Sequence, residues 1–178
     1  MLLPFWALSQ QDSHGCPFGD SNDAGHRSID SMKNRFTVPV NYIPVDFDSY
    51  AAMTITDDYS YCGNAISING TVLEIQDGGM ESCNCHSKVY KDTHIYLVKD
   101  ASVTDKSQAI IVEVTPAFRQ QMGTTDNLKK WVGKDVTIYG YAFQDQEHKA
   151  NSTVDNGNGD HWRHTTWEIH PITNIAGR

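Results

Sequence analysis

Residues 132–143 read Val-Gly-Lys-Asp-Val-Thr-Ile-Tyr-Gly-Tyr-Ala-Phe, "VGKDVTIYGYAF". From Lys134 onward the pattern has the two-residue period of an extended strand with one face on a core. Strands of the same period lie on both sides of it. Upstream, "AISINGTVLEI" (65–75) sets Ile66, Ile68, Gly70 and Val72 against Ser67, Asn69 and Thr71. "THIYLV" (93–98) sets Ile95 and Leu97 against His94 and Tyr96, and "AIIVEVT" (109–115) sets Ile110, Val112 and Val114 against Ile111, Glu113 and Thr115. Downstream, "TWEIHPITNI" (166–175) alternates Trp167 and Ile169 with Glu168 and His170. Pro116 ends the third strand and opens the helical stretch "PAFRQQMGTTDNLKKWVG", interrupted at Gly123, with Asp126 the expected cap of its second part.

Three strands, a helical connection and two further strands make the chain mostly β. That order resembles the OB-fold, a five-stranded Greek-key barrel with its helix between strands three and four. "VGKDVTIYGYAF" is similar to the Gly-Lys-x-Val-x-Val-x-Gly fourth strand common in that superfamily, and Gly70 suits the sharp bend such a barrel needs in its first strand. The resemblance covers residues 62–176. The combination "ESCNC…DTHIYL…VEVTP…WEIHP" also resembles secreted bacterial proteins of unassigned function and implies no mechanism.

The segment ahead of the barrel reads differently. Residues 1–10, "MLLPFWALSQ", are apolar and carry the small-x-small pattern Ala7-Leu8-Ser9, as in a shortened secretory signal or an N-terminal arm. Residues 11–61 are expected to form an irregular extension packed on the 62–178 barrel. Short helices are expected near Ala24–Phe36 and Asp48–Met53, separated by Pro39 and Pro44. The four cysteines are even in number, which fits a secreted or periplasmic protein. Four cysteines allow three pairings; a Cys16–Cys62 bridge is the expected one, because it would staple the extension to the start of the barrel. The net charge of −8 disfavours nucleic acid, whose phosphates draw on clustered Lys and Arg. No apolar run approaches the roughly 20 residues that span a bilayer as a helix.

In an OB-like barrel the second strand lies beside the third, and the third beside the fifth. Strand alternation then brings His94, Glu113, Glu168 and His170 together on the outer face of that trio. Two imidazoles and two carboxylates suit a small polar ligand or a divalent metal such as Zn²⁺, with Cys85 and His86 of "CNCH" as further candidate ligands. The long loops 76–92 and 144–164 flank the same face and add Asp92, His148, Trp162 and Arg163 as candidate ligand-binding residues. Six of the eight histidines lie in these loops or on the strands they join. The expected function is a binding module for a small polar ligand or oligosaccharide. The alternative is a metal-assisted hydrolase with Glu113 or Glu168 as catalytic base and His94 and His170 as ligands or acid. The chain lacks H-E-x-x-H, G-x-S-x-G and P-loop motifs, which ranks the binding module first.

Overall fold

The structure, a computed structural model, describes Cys16, Gly19, Asp20 and residues 23–178; the expected signal remnant at 1–10 lies outside the described residues. Ahead of the barrel come helix α1 (Ala24–Lys33), the short strand β1 (Ile43–Val45) and helix α2 (Phe47–Ala51). The barrel is built from β2 (Ala65–Asp77), β3 (Thr93–Val98), β4 (Ile110–Val114), β5 (Asp135–Gln144) and β6 (Trp167–Gly177). These are the five expected strands. Helices α3 (Pro116–Met122) and α4 (Thr125–Leu128) lie between β4 and β5. The sheet order is β1-β2-β3-β4-β6-β5, and β2 pairs again with β5, so the five strands close on themselves. Neighbours in the barrel are antiparallel except β4 and β6, which run parallel. This is the expected OB-like barrel, with its helices between the third and fourth barrel strands.

Closure depends on β2 serving two partners. Its first half pairs with β5, from Ala65↔Tyr141 to Thr71↔Asp135, and its second half pairs with β3, from Thr71↔Val98 to Asp77↔Thr93. The change of partner brings the backbone against β3 at Gly70, where a Cβ would stand 2.6 Å from the Val98 carbonyl oxygen. The alternating apolar residues, among them Ile68, Ile95, Val112, Ile138 and Ile169, fill one interior cluster. Pro116 occupies the first turn of α3, as expected, and Phe118 enters the core. The cap of α4 is Thr124 rather than Asp126. The Thr124 hydroxyl and the Asn127 side chain satisfy each other's backbone N–H groups, while Asp126 pairs with Lys129 at 2.8 Å.

The extension is more ordered than its composition predicts. β1 adds to β2 in parallel, Ile43 opposite Ile66, and tolerates Pro44 because it is an edge strand. Tyr50 of α2 joins the core and donates a hydrogen bond to the Glu168 carbonyl at 2.8 Å. The disulfide differs from the expected one: Cys16 is bonded to Cys85, and Cys62 is a free thiol. The reason lies in where the extension runs. Asp20 N–H donates to the Ser82 carbonyl, and the Asn34 amide donates to the carbonyls of Cys16 and Cys83. The segment is therefore anchored along the 76–92 loop, whereas Cys62 packs against the main core at the start of β2. Among the described residues no helix is long and apolar enough to cross a membrane.

Gly140 of β5 faces an irregularity in β6, where the register shifts on both sides of it. A Cβ there would stand 2.6 Å from both Ile169 Cγ2 and the Pro171 carbonyl oxygen. Gly140→Ala is expected to lower the free energy of unfolding by about 2 kcal/mol in urea titrations. An unchanged midpoint would mean that β6 yields there at no cost.

Candidate functional site

Strand register assembles the cluster that the alternation predicts. His94 on β3 lies opposite Glu113 on β4, and Val112 pairs with Ile169, which brings the flanking Glu168 and His170 of β6 beside Glu113. His94 Nε2 is 3.2 Å from Glu113 Oε1, and Glu113 Oε2 is 3.2 Å from His170 Nδ1. His170 Nδ1 donates to Glu168 Oε1 at 3.2 Å. The four residues thus form one continuous chain across three strands. They do not form an open face. Glu113, Glu168 and His170 are buried, and His94 is the most accessible at 9% exposure.

Three segments cover them. Lys33, in the last turn of α1, places its ammonium 3.4 Å from Glu81 Oε2 and 5.5 Å from the Phe143 ring centre. The 76–92 loop supplies Glu81, whose Oε1 is 3.5 Å from His94 Nε2, and Asp92, whose Oδ2 is 3.6 Å from His170 Nε2. Between these carboxylates lies the Cys83 thiol, 3.6 Å from Glu81 Oε2 and 3.8 Å from Asp92 Oδ2. The 144–164 loop supplies Arg163, which donates to Asp145 at 2.8 Å, to Glu168 at 2.7 Å and to the Thr165 carbonyl at 3.0 Å. Asp145 also accepts from His148.

The charges explain the protonation states. Burial pushes His94 down, but Glu113 and Glu81 more than offset it and raise its pKa well above the usual range. Burial likewise opposes charge on His170, yet Glu113, Glu168 and Asp92 lift it to about 9. Glu113 feels the converse: burial pushes it up, and the imidazoles of His94 and His170 hold it well below the usual carboxylate range. Asp92 is pushed up to about 6, chiefly by burial, with His170 opposing. Burial drives the Cys83 thiol far up, so it is no nucleophile at neutral pH.

The candidate residues divide accordingly. Asp92 and Arg163 belong to the buried network with His94, Glu113, Glu168 and His170. His148 and Trp162 line the cleft beside it. Cys85 is spent in the disulfide and is no metal ligand; it lies outside the cluster because the extension claims it. His86 is exposed and pairs with Asp20 at 3.0 Å. The structure adds Lys33, Glu81, Cys83 and Asp145 to the network, none of which strand alternation places there. Glu81 and Asp145 stand in the two flanking loops, so loop length was their one signal. Lys33 carried none.

Two adjoining cavities, of about 580 and 450 Å³, open between the loops and share Met80, Glu81 and His148. The smaller reaches His94, Tyr96 and Trp162, and the larger runs past Lys33, His26 and His86. Glu81 and His94 therefore connect this cleft to the buried network. No protein-family model and no curated protein matches the chain.

Arg163 is the hydrogen-bonded counter-charge shared by two buried carboxylates, Asp145 and Glu168. Arg163→Met is expected to cost about 3–5 kcal/mol in chemical denaturation, since it strands Asp145 and Glu168. Combining it with Glu168→Gln should recover part of that loss. Asp145 supplies a pH dependence. Burial raises its pKa, but Lys33, His148 and Arg163 more than offset this and hold it well below the ordinary 3.8. The stability it contributes is fully present above 3.8 and disappears as the pH falls through the lower folded-state value. Urea midpoints measured from pH 5 downward should therefore fall steeply in the native chain and less steeply in Asp145→Asn.

Proposed function

We propose that the protein is a secreted or periplasmic binding module of the OB superfamily, and that it takes a small polar ligand or oligosaccharide in the cleft between loops 76–92 and 144–164. One observation carries this reading: the two adjoining cavities meet over Glu81, and the smaller one reaches His94, so both open onto the outermost members of a charged network. Such a cleft combines hydrogen-bonding groups (Glu81, His94, His148) with the aromatic walls Tyr96 and Trp162, a composition suited to hydroxyl-rich ligands. His148 packs edge-on to Trp162 at 5.2 Å, and the Arg163 guanidinium lies 5.2 Å from the indole centre, which together fix the ring. The Cys16–Cys85 disulfide agrees with an oxidising compartment.

The hydrolase alternative has less support. Glu168 is fully buried with both oxygens engaged, Oε2 by Arg163 and Oε1 by His170, so it faces no substrate. Glu113 lies behind His94 between two imidazoles. The buried members are better read as the frame that fixes Glu81 and His94 at the cleft.

The test is a thermal-shift and tryptophan-fluorescence screen of neutral and acidic mono- and oligosaccharides against the full chain. At least one is expected to raise Tm and perturb the indole emission, and Trp162→Ala should weaken that sugar at least tenfold. A panel without a binder, or binding unaffected by Trp162→Ala, would refute the cleft reading.

A further inference from the structure

We infer that Glu81, His94 and Glu113 form a binding site for one borderline divalent cation of the Zn²⁺ class, with its open coordination position facing the cleft. The inference deepens the cleft reading and rests on it for the ion's route of entry alone. His94 Nε2 lies 3.2 Å from Glu113 Oε1 and 3.5 Å from Glu81 Oε1, and one ligand atom from each of the three residues falls within 4.8 Å of the others. Two atoms bound to one Zn²⁺ at about 2.0–2.1 Å in tetrahedral geometry stand about 3.3 Å apart. Both distances from His94 Nε2 are close to that spacing.

A second observation points the same way. His94 Nε2 is buried and makes no hydrogen bond, although two carboxylate oxygens surround it. Space is left beside the nitrogen as well: a Cβ on Gly78 would stand 2.8 Å from His94 Nε2, so glycine keeps that side open.

The surroundings meet the needs of a metal ligand set. Lys33 holds Glu81 Oε2 at 3.4 Å, and His170 faces Glu113 Oε2 at 3.2 Å while Glu168 and Arg163 fix His170 in turn. Such outer contacts orient carboxylate ligands. The imidazole favours Zn²⁺ over Mg²⁺ or Ca²⁺, which prefer oxygen-only shells. Of the two other triads among the described residues, Asp92, Glu113 and His170 are entirely buried, and Glu81, Cys83 and Asp92 put only Glu81 on the cleft, whereas here both Glu81 and His94 line it. That opening decides among the three.

The experiment uses the full chain, stripped with a chelator and checked for folding by near-ultraviolet circular dichroism. Zn²⁺ alone is titrated against a chromophoric competitor, and Co²⁺ is added separately as an optical probe of coordination. The expected result is one Zn²⁺ per chain and a tetrahedral Co²⁺ spectrum. Affinity should fall at least tenfold in Glu81→Gln, a change at the cleft that spares the buried frame, and in His94→Gln where that variant folds. His86→Ala should bind as the native chain does. Folded protein that takes up no Zn²⁺, full affinity in Glu81→Gln, or loss of binding in His86→Ala would each overturn the site. The titration contains no sugar, so its failure leaves the saccharide reading standing, and a failed saccharide screen leaves the metal site standing.

Discussion

The Glu113 carboxylate, held between two imidazoles, is the constraint to which the outer half of the molecule answers. A barrel strand must alternate, so the position between Val112 and Val114 has to point away from the core. Putting an ionisable group there is ordinary when water covers it and costly when protein does. Here protein covers it, and the neighbouring strands supply the remedy: His94 arrives from one side by antiparallel pairing and His170 from the other by parallel pairing. Each imidazole then needs its own carboxylate, which draws in Glu81, Asp92 and Glu168, and these in turn require Lys33 and Arg163. The network grows outward until it reaches the cleft.

Barrel and cover are held by different physics. The barrel interior is a cluster of branched aliphatic side chains, with burial as its driving force. The cover attaches through polar groups: Ser82 Oγ donates to Asp30 at 2.9 Å, the Asn34 amide donates to the Cys83 carbonyl at 2.7 Å, and Lys33 reaches Glu81. The side chains that α1 buries are Asp30 and Lys33, neither of them apolar. A helix seated this way adds little hydrophobic stabilisation. The disulfide beside it supplies a covalent tie where the apolar contacts are few.

What the sequence made legible follows from periodicity. Each barrel strand sets apolar residues at every second position, from Ile95 and Leu97 on β3 to Ile110, Val112 and Val114 on β4, and the order of strands and helices restricts the topology. β1 was missed because three residues, one of them proline, show no period. His94, Glu113, Glu168 and His170 were legible as a group because alternation gives the side of a strand and topology gives its neighbours. Their burial was not. It depends on Lys33, Glu81 and Asp145, which come from a helix and two irregular loops whose paths have no sequence signature. The disulfide was illegible for a similar reason: all three pairings satisfy the spacing, and the one formed depends on where an aperiodic segment is laid.

The parallel pairing of β4 with β6 also sets an order of assembly. Glu113 and His170 are neighbours in space but come from strands separated by two helices, β5 and a long loop. During synthesis the chain carries Glu113 long before its C-terminal partners, Arg163 through His170, have been made. Until β6 closes the barrel, that carboxylate has neither His170 beside it nor the Glu168–Arg163 pair behind it. The polar centre therefore forms only once β6 has been made, and a ribosome-bound intermediate ending before Trp167 has an unclosed sheet with no strand between β4 and β5.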